Sequence, residues 1–177
     1  MSLTNYIAID CEMVATGVRR EYDMLARVSI VNEYCQKVYD EYVFPTERVT
    51  DYRTPISGIR RQDLMNGEDF DEVREDVRRM IKRRVIVGHG LEHDLRVLHL
   101  SHPEWNIRDT ANYPPFIRMN RNRTPSLKWL ARRILRENIQ QGEHSSVEDA
   151  ATAMRLYLHV AQEWEDWLDS DSDSSSD

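Results

Sequence analysis

The 177-residue sequence predicts an α/β fold: a mixed sheet, with three antiparallel strands followed by parallel strands, and helices packed on its faces. Two observations carry this prediction. Apolar, β-branched runs at about 5–14, 25–32 (LARVSIVN) and 36–44 (QKVYDEYVF) follow one another with short connections, as neighbouring antiparallel strands do. From residue 69 onward, stretches of helical period alternate with short apolar strands, the pattern of a sheet that turns parallel.

Each element has its own signal. The first strand contains IAIDCEMV (7–14), apolar except for two acids. After the third run, an irregular stretch with Pro45, Pro55 and Gly58 leads to a helix at about 69–83, where Val73, Val77, Met80 and Ile81 recur at helical spacing. VIVG (85–88) is a short, fully apolar strand that turns at Gly88-His89-Gly90 and enters a helix at about 91–100. NIRDT marks a further strand end, and a Pro-rich, basic loop follows it. Thr124 and Pro125 offer an N-cap and an N1 proline to the helix SLKWLARRIL. A last helix runs from about 146 to 167, and no repeat is evident.

With 40% hydrophobic residues, the chain can bury one sizeable core, expected as a single domain over 1–167. No run is long enough to cross a membrane, and MSLTNYIAID lacks a basic-then-apolar leader pattern. Cys11 and Cys35 form neither a CxxC pair nor a Cys/His zinc spacing, so they read as small thiols of an intracellular protein with no zinc site.

The net charge of −7 is localised. Residues 163–177 hold seven acids and no base; taking them from the 31 acids leaves 24, which balance the 24 bases of the body. Within that neutral body no acid falls between Asp109 and Glu137, where Arg118, Arg121, Arg123, Lys128, Arg132, Arg133 and Arg136 lie. A basic flank of this kind suits a polyanionic ligand. The acidic Ser/Asp tail, 168–177, ends in DSDSDSSSD, which has nothing apolar to bury and is expected to be disordered.

The two acids of the first strand need an explanation. Strand alternation puts Ala8, Asp10, Glu12 and Val14 on one face, opposite Ile7, Ile9, Cys11 and Met13. The carboxylates are then neighbours, about 7 Å apart at Cβ, and costly to hold together without cations between them. Two readings are open at this point: an edge strand with a solvated polar face, or a divalent-metal site built from hard oxygen ligands. In GHGLEHDLRVL, helical spacing sets Asp94 on a stripe with Leu91, Leu95 and Leu98, where a carboxylate needs a partner. Glu92 instead has Arg96 one turn on, an ordinary surface pair. In GEHSSVEDAATAMRLYL, Ser145 and Glu148 have capping-box spacing, but Asp149 shares an apolar face with Ala153, Leu156 and Val160. His144 stands just ahead of that helix. A histidine held beside carboxylates is a candidate general base, because imidazole titrates near neutrality.

IAIDCEMV, VGHGLEHD and HSSVEDA resemble the three motifs of the DEDDh branch of the DnaQ-like 3′-to-5′ exonucleases, which share the ribonuclease-H-like fold. His144, four residues and then Asp149 match the histidine branch; its sister branch uses tyrosine at a shorter spacing. LARVSIVN, DYRTPISGI and SLKWLARRIL are similar to the eukaryotic RNA exonuclease subgroup that includes the interferon-stimulated exonuclease and the ribosomal-RNA-processing exonucleases. The resemblance covers about residues 5 to 162.

The resemblance implies a hydrolase that releases nucleoside 5′-monophosphates from the 3′ ends of single-stranded RNA, with single-stranded DNA as a further substrate class. It implies two Mg²⁺ or Mn²⁺ ions held by Asp10, Glu12, Asp94 and Asp149. Asp10 would bridge both, Glu12 and Asp149 would complete the one that binds the attacking water, and Asp94 would hold the other, directly or through water. His144 would take the proton of that water, and Met13, Arg53 and His89 would contact the terminal nucleotide. Nuclear or nucleolar residence is implied by the subgroup, with the cytoplasm left open.

Two other functions fit parts of the pattern. A ribonuclease-H-type endonuclease uses the same carboxylate chemistry, although His144 with Asp149 suits end-trimming. A catalytically inactive nucleic-acid-binding or assembly module of the same fold has no need of four costly carboxylates. A third possibility, compatible with the exonuclease reading, is that the acidic tail occupies the basic flank and restrains activity.

Overall fold

In a computed structural model, which describes residues 2–173, six strands form one sheet. They are β1 (Tyr6–Thr16), β2 (Tyr22–Asn32), β3 (Lys37–Tyr42), β4 (Val49–Asp51), β5 (Val85–Gly88) and β6 (Ile107–Asp109). The order across the sheet is β3-β2-β1-β5-β6, with β4 paired to the far end of β1. β1–β2 and β2–β3 are antiparallel, whereas β1–β5 and β5–β6 are parallel, which is the predicted mixed sheet. Tight turns suffice between the antiparallel strands; the parallel ones require crossovers.

Those crossovers are helical. α1 (Thr54–Ser57), α2 (Arg61–Met65) and α3 (Phe70–Ile81) lead into β5, and α4 (Leu91–Val97) with a 3₁₀ turn at Glu104–Asn106 leads into β6. Then come α5 (Pro114–Met119), α6 (Leu127–Leu130) widening into a π turn at Ala131–Leu135, and α7 (Ser146–Asp173). Alternation along β1 divides the core. Ala8 and Val31 meet Ala150, Ala153, Met154 and Tyr157 of α7 on one face. Ile7, Ile9 and Ile30 meet Val73, Val77, Leu91 and Leu95 of α3 and α4 on the other. Each fully buried Val, Leu, Ile or Met among them stabilises the fold by about 1.5–3 kcal/mol relative to exposure.

The structure departs from the sequence-based expectation in four places. The stretch expected to be irregular carries β4, α1 and α2, each too short for periodicity to reveal. α4 stops at Val97 rather than near residue 100, and His99 just beyond it is left-handed, with φ 52°. Ser126, not Thr124, caps α6 by accepting from the Trp129 N–H at 3.2 Å, which leaves Pro125 outside the helix. Finally, α7 continues through Asp173, so residues 168–173 of the expected disordered tail are helical, and 174–177 lie outside the described residues. A long helix extends at little cost, since each added residue gains a hydrogen bond without a new nucleus.

Candidate functional site

β1 delivers Asp10 and Glu12 to the face that α7 covers, and the first turn of α7 delivers Asp149. Oxygens of these three carboxylates lie within 4.8 Å of one another. The start of α7 is pinned to the sheet by a chain of polar contacts that begins buried and runs toward the surface. The Ser146 and Ser29 hydroxyls lie 2.7 Å apart, the Ser29 hydroxyl donates to Asp40 at 2.8 Å, and Arg27 grips Asp40 through Nε and Nη2 at 2.8 and 2.9 Å. Arg27 faces Glu12 across the β1–β2 ladder. Its charge favours the ionised form of Glu12.

Asp94 stands beside the trio rather than within it. It is buried in α4, and its Oδ1 accepts the Cys11 N–H at 2.8 Å, which ties the helix to β1 between the two strand acids. The entry of α4 is set by Asp109 at the end of β6, which accepts from the N–H groups of Gly90 at 2.8 Å and Leu91 at 3.0 Å. Gly90 has φ 78°, a conformation that a side chain would strain.

His144 lies at the mouth. Its Nδ1 is 3.8 Å from Asp149 Oδ2, and its backbone N–H donates to Ile56 O at 2.6 Å, docking the segment onto α1. Gly58 ends α1 in the left-handed region (φ 69°), and a Cβ there would press to 3.2 Å from His144 O. Gln140 completes the arrangement: its side-chain amide donates to the same Asp149 oxygen at 2.8 Å.

This cluster is electrostatically expensive. Burial, followed by repulsion from Asp94, Asp149 and Glu12, pushes Asp10 well above the usual carboxylate range. Burial and the Asp149 charge push Glu12 up to about 8, against relief from Arg27. Burial raises Asp94 to about 7 even though the Cys11 N–H opposes it. Burial also raises Asp149, with Gln140 and His144 pulling the other way. A divalent cation is a partner that fits these acids. Glu12 Oε1 and Asp149 Oδ1 are buried and have no hydrogen-bond partner among the described residues. Such an orphaned atom ordinarily costs about 1–3 kcal/mol, and these two belong to the trio whose oxygens converge. An all-carboxylate donor set suits Mg²⁺ or Mn²⁺.

The three residues expected to touch substrate are more dispersed. Met13 is half-buried and packs on the α3/α4 side of the sheet. Arg53 precedes α1 with φ 51°, and its Nη1 pairs with Asp23 at 2.8 Å. His89 is largely buried, with Nδ1 2.9 Å from the Thr110 hydroxyl and the Pro125 backbone also against the ring. Burial lowers its pKa below the usual imidazole value, against Asp109 and the Pro125 backbone. Sequence reasoning missed Gln140, Arg27 and Asp109. For Arg27 a signal existed: it sits two residues before Ser29 in LARVSIVN, on the same strand face. Gln140 lies in a loop, where no periodicity points at a partner.

The seven cations of the basic flank are all exposed, and none forms an ion pair among the described residues. Lys128 links the flank to the site, donating to Gln140 O at 2.9 Å.

Comparison with known proteins agrees with this geometry. An exonuclease (RNase_T) family model matches residues 7–157. RNA exonuclease 4 of Homo sapiens is 52% identical over 163 residues, covering 92% of this chain and 39% of that protein. RNA exonuclease 4 of Mycosarcoma maydis is 46% identical over 166 residues, covering 93% and 44%. The chain thus spans about two fifths of the length of these curated relatives. Among solved structures, the Neurospora crassa Pan2 catalytic unit superposes with a TM-score of 0.77 at 29% identity, covering 94% of this chain and 28% of that one. The Saccharomyces cerevisiae Pan2 pseudoubiquitin hydrolase-RNA exonuclease module, in complex with A7 RNA, gives 0.76 at 32% identity, covering 96% and 31%. With its ribonuclease-H-like sheet and convergent acids, the chain belongs to the exonuclease family.

Proposed function

We propose that this chain is a metal-dependent 3′-to-5′ exonuclease of the DEDDh branch, releasing nucleoside 5′-monophosphates from single-stranded RNA. We place it in the eukaryotic subgroup that includes the interferon-stimulated exonuclease, with nuclear or nucleolar residence. One observation carries the reading: three carboxylates, two of them buried, converge with two oxygens unpartnered among the described residues, and a histidine stands at their edge. Family membership and the RNA-bound relatives support the substrate class. The unpaired basic flank, which suits a polyanion approaching the site, supports it further.

Asp10, Glu12 and Asp149, with Asp94 beside them, would hold two Mg²⁺ or Mn²⁺ ions, which when bound neutralise the scissile phosphate and acidify the attacking water. The protein's own side chains do the rest. His144 accepts the proton of the water, and the nearby Asp149 carboxylate stabilises the imidazolium that results. Gln140 fixes Asp149 Oδ2 and leaves Oδ1 without a hydrogen-bond partner among the described residues. Asp109 and the Cys11 N–H hold Asp94 in register with β1.

End-labelled oligonucleotides test the reading. A 5′-labelled RNA should shorten from its 3′ end one nucleotide at a time, a 3′ label should appear at once as mononucleotide, and EDTA should stop both. Cleavage of a circular RNA would favour the endonuclease alternative. Binding without cleavage in either metal would favour the inactive module.

His144→Ala isolates the proton transfer. The variant is expected to lose about 10²–10⁴-fold in rate at neutral pH and to recover part of it at higher pH, where hydroxide replaces the base. Parallel pH profiles for variant and parent would remove His144 from that role.

A further inference from the structure

A second cationic surface lies at the opposite edge of the sheet from the carboxylates. β5 and β6 run parallel, so the segments that enter them share one edge and the segments that leave them share the other. Gly90, Leu91 and Asp109 are on the exit side, with the acid cluster. Lys82-Arg83-Arg84 and the turn Glu104–Asn106 are on the entry side. β5 alone separates the two edges by about 10 Å.

On the entry side is a groove of about 480 Å³, lined by Arg78, Lys82, Arg83, His102 and Trp105 among others. Three features set it apart from an ordinary solvated face. First, its charge is uncompensated. Arg78 and Arg79 are paired with Glu75 and Asp76, but Lys82 and Arg83 are exposed and have no acid partner among the described residues. Arg84 just behind them spends its guanidinium on the Thr4 and Met80 carbonyls, at 3.0 and 2.7 Å, so its charge adds to theirs. Second, Trp105 is 76% exposed, the most exposed aromatic ring among the described residues, and it lines the same groove as the free cations. Third, the framework beneath it is fixed. His102 Nε2 lies 2.9 Å from Arg84 O, and Arg108 Nη1 donates to Trp105 O at 2.9 Å while bidentate on Glu165 of α7.

We propose that this groove is a second binding site for single-stranded RNA, in which a base stacks on Trp105 and the flanking phosphates lie on Lys82 and Arg83. An exposed indole beside unpaired cations is the combination that holds single strands without reading their sequence: the ring accepts any base, and the cations track the backbone. An acidic peptide would satisfy the cations but leave the indole face unused. The site rests on the exonuclease reading for the identity of its polymer, and it serves the body of a long strand while the 3′ end occupies the carboxylate cage. Short substrates do not reach it.

Binding in EDTA tests this without any cleavage. A labelled RNA of about 20 nucleotides should bind Trp105→Ala and the double variant Lys82→Glu/Arg83→Glu roughly fivefold to tenfold more weakly than the parent. The double variant should also show a smaller dependence of log Kd on log salt. Trp105→Phe should retain most of the affinity, and hydrolysis of a trinucleotide should be the same in all of them. These positions are exposed, so melting curves should coincide with the parent's. Unchanged RNA affinity in either variant overturns the proposal, as does a groove that binds polyglutamate in preference to RNA. Failure of the exonuclease reading would look different, as a parent protein that cleaves neither long nor short RNA while the binding comparison still stands.

Discussion

Asp10→Asn is expected to abolish RNA hydrolysis while leaving the fold and RNA binding in place. Asp10 is the member of the trio that every other acid of the site repels: Asp94, Asp149 and Glu12 all raise its pKa. It therefore sits at the centre of the negative field that a cation would neutralise. The amide keeps the shape of the side chain but removes the charge, so several kcal/mol of metal-derived charge stabilisation disappear, roughly 10³-fold or more in rate. The substitution also removes a repulsive charge, so the metal-free variant should melt no lower than the parent. Activity retained in a preparation free of contaminating nuclease would contradict the assignment.

The second large effect is on stability. Without metal, the protein should lose stability as pH rises from about 4.5 to about 8. Glu12 is raised from 4.5 to about 8 and Asp94 from 3.8 to about 7 in the folded protein, with Asp10 and Asp149 raised as well. Across that window the unfolded chain has released these protons and the folded chain still holds them. The folded state thus binds more protons, and its advantage is full below the unfolded pKa values and is lost as pH passes the folded ones. A tenfold change in proton affinity between the two states is worth about 1.4 kcal/mol. The loss should therefore be on the order of several kcal/mol, moderated where water reaches the half-buried Asp10. Saturating Mn²⁺ should flatten the profile, because it binds the folded state alone and binds it best when the carboxylates are ionised. Glu12→Gln should flatten it in part without any metal. Melting temperatures in EDTA that do not change between pH 5 and 8 would contradict this.

How much of this is legible in the sequence depends on the residue. Asp10, Glu12, Asp94 and Asp149 can be read because each is a charge where periodicity demands an apolar side chain, and the structure does bury Glu12, Asp94 and Asp149. The centre of the mixed sheet is legible from pattern as well, since β1 and β2 are long and β5 is wholly apolar. The supporting residues are not. Gln140 reaches Asp149 from a loop, Asp109 holds α4 through backbone groups nineteen and eighteen residues away in sequence, and Arg27 acts across a strand pair whose register local sequence does not encode. β4, α1 and α2 escape because three to five residues are too few to show a period. The Thr124-Pro125 cap is displaced by Ser126, a competing cap just beyond it. Local pattern reveals what is out of place, whereas partners brought together by the fold become visible only in three dimensions.

Calorimetric titration of Mn²⁺ into the parent protein and into Asp10→Asn, near pH 7.5 and without nucleic acid, addresses the carboxylate cage most directly. Saturable binding that releases protons in the parent and is lost in Asp10→Asn is the predicted result. Absence of saturable binding in the parent, or equal binding in both proteins, would show that the three converging carboxylates are not a metal site.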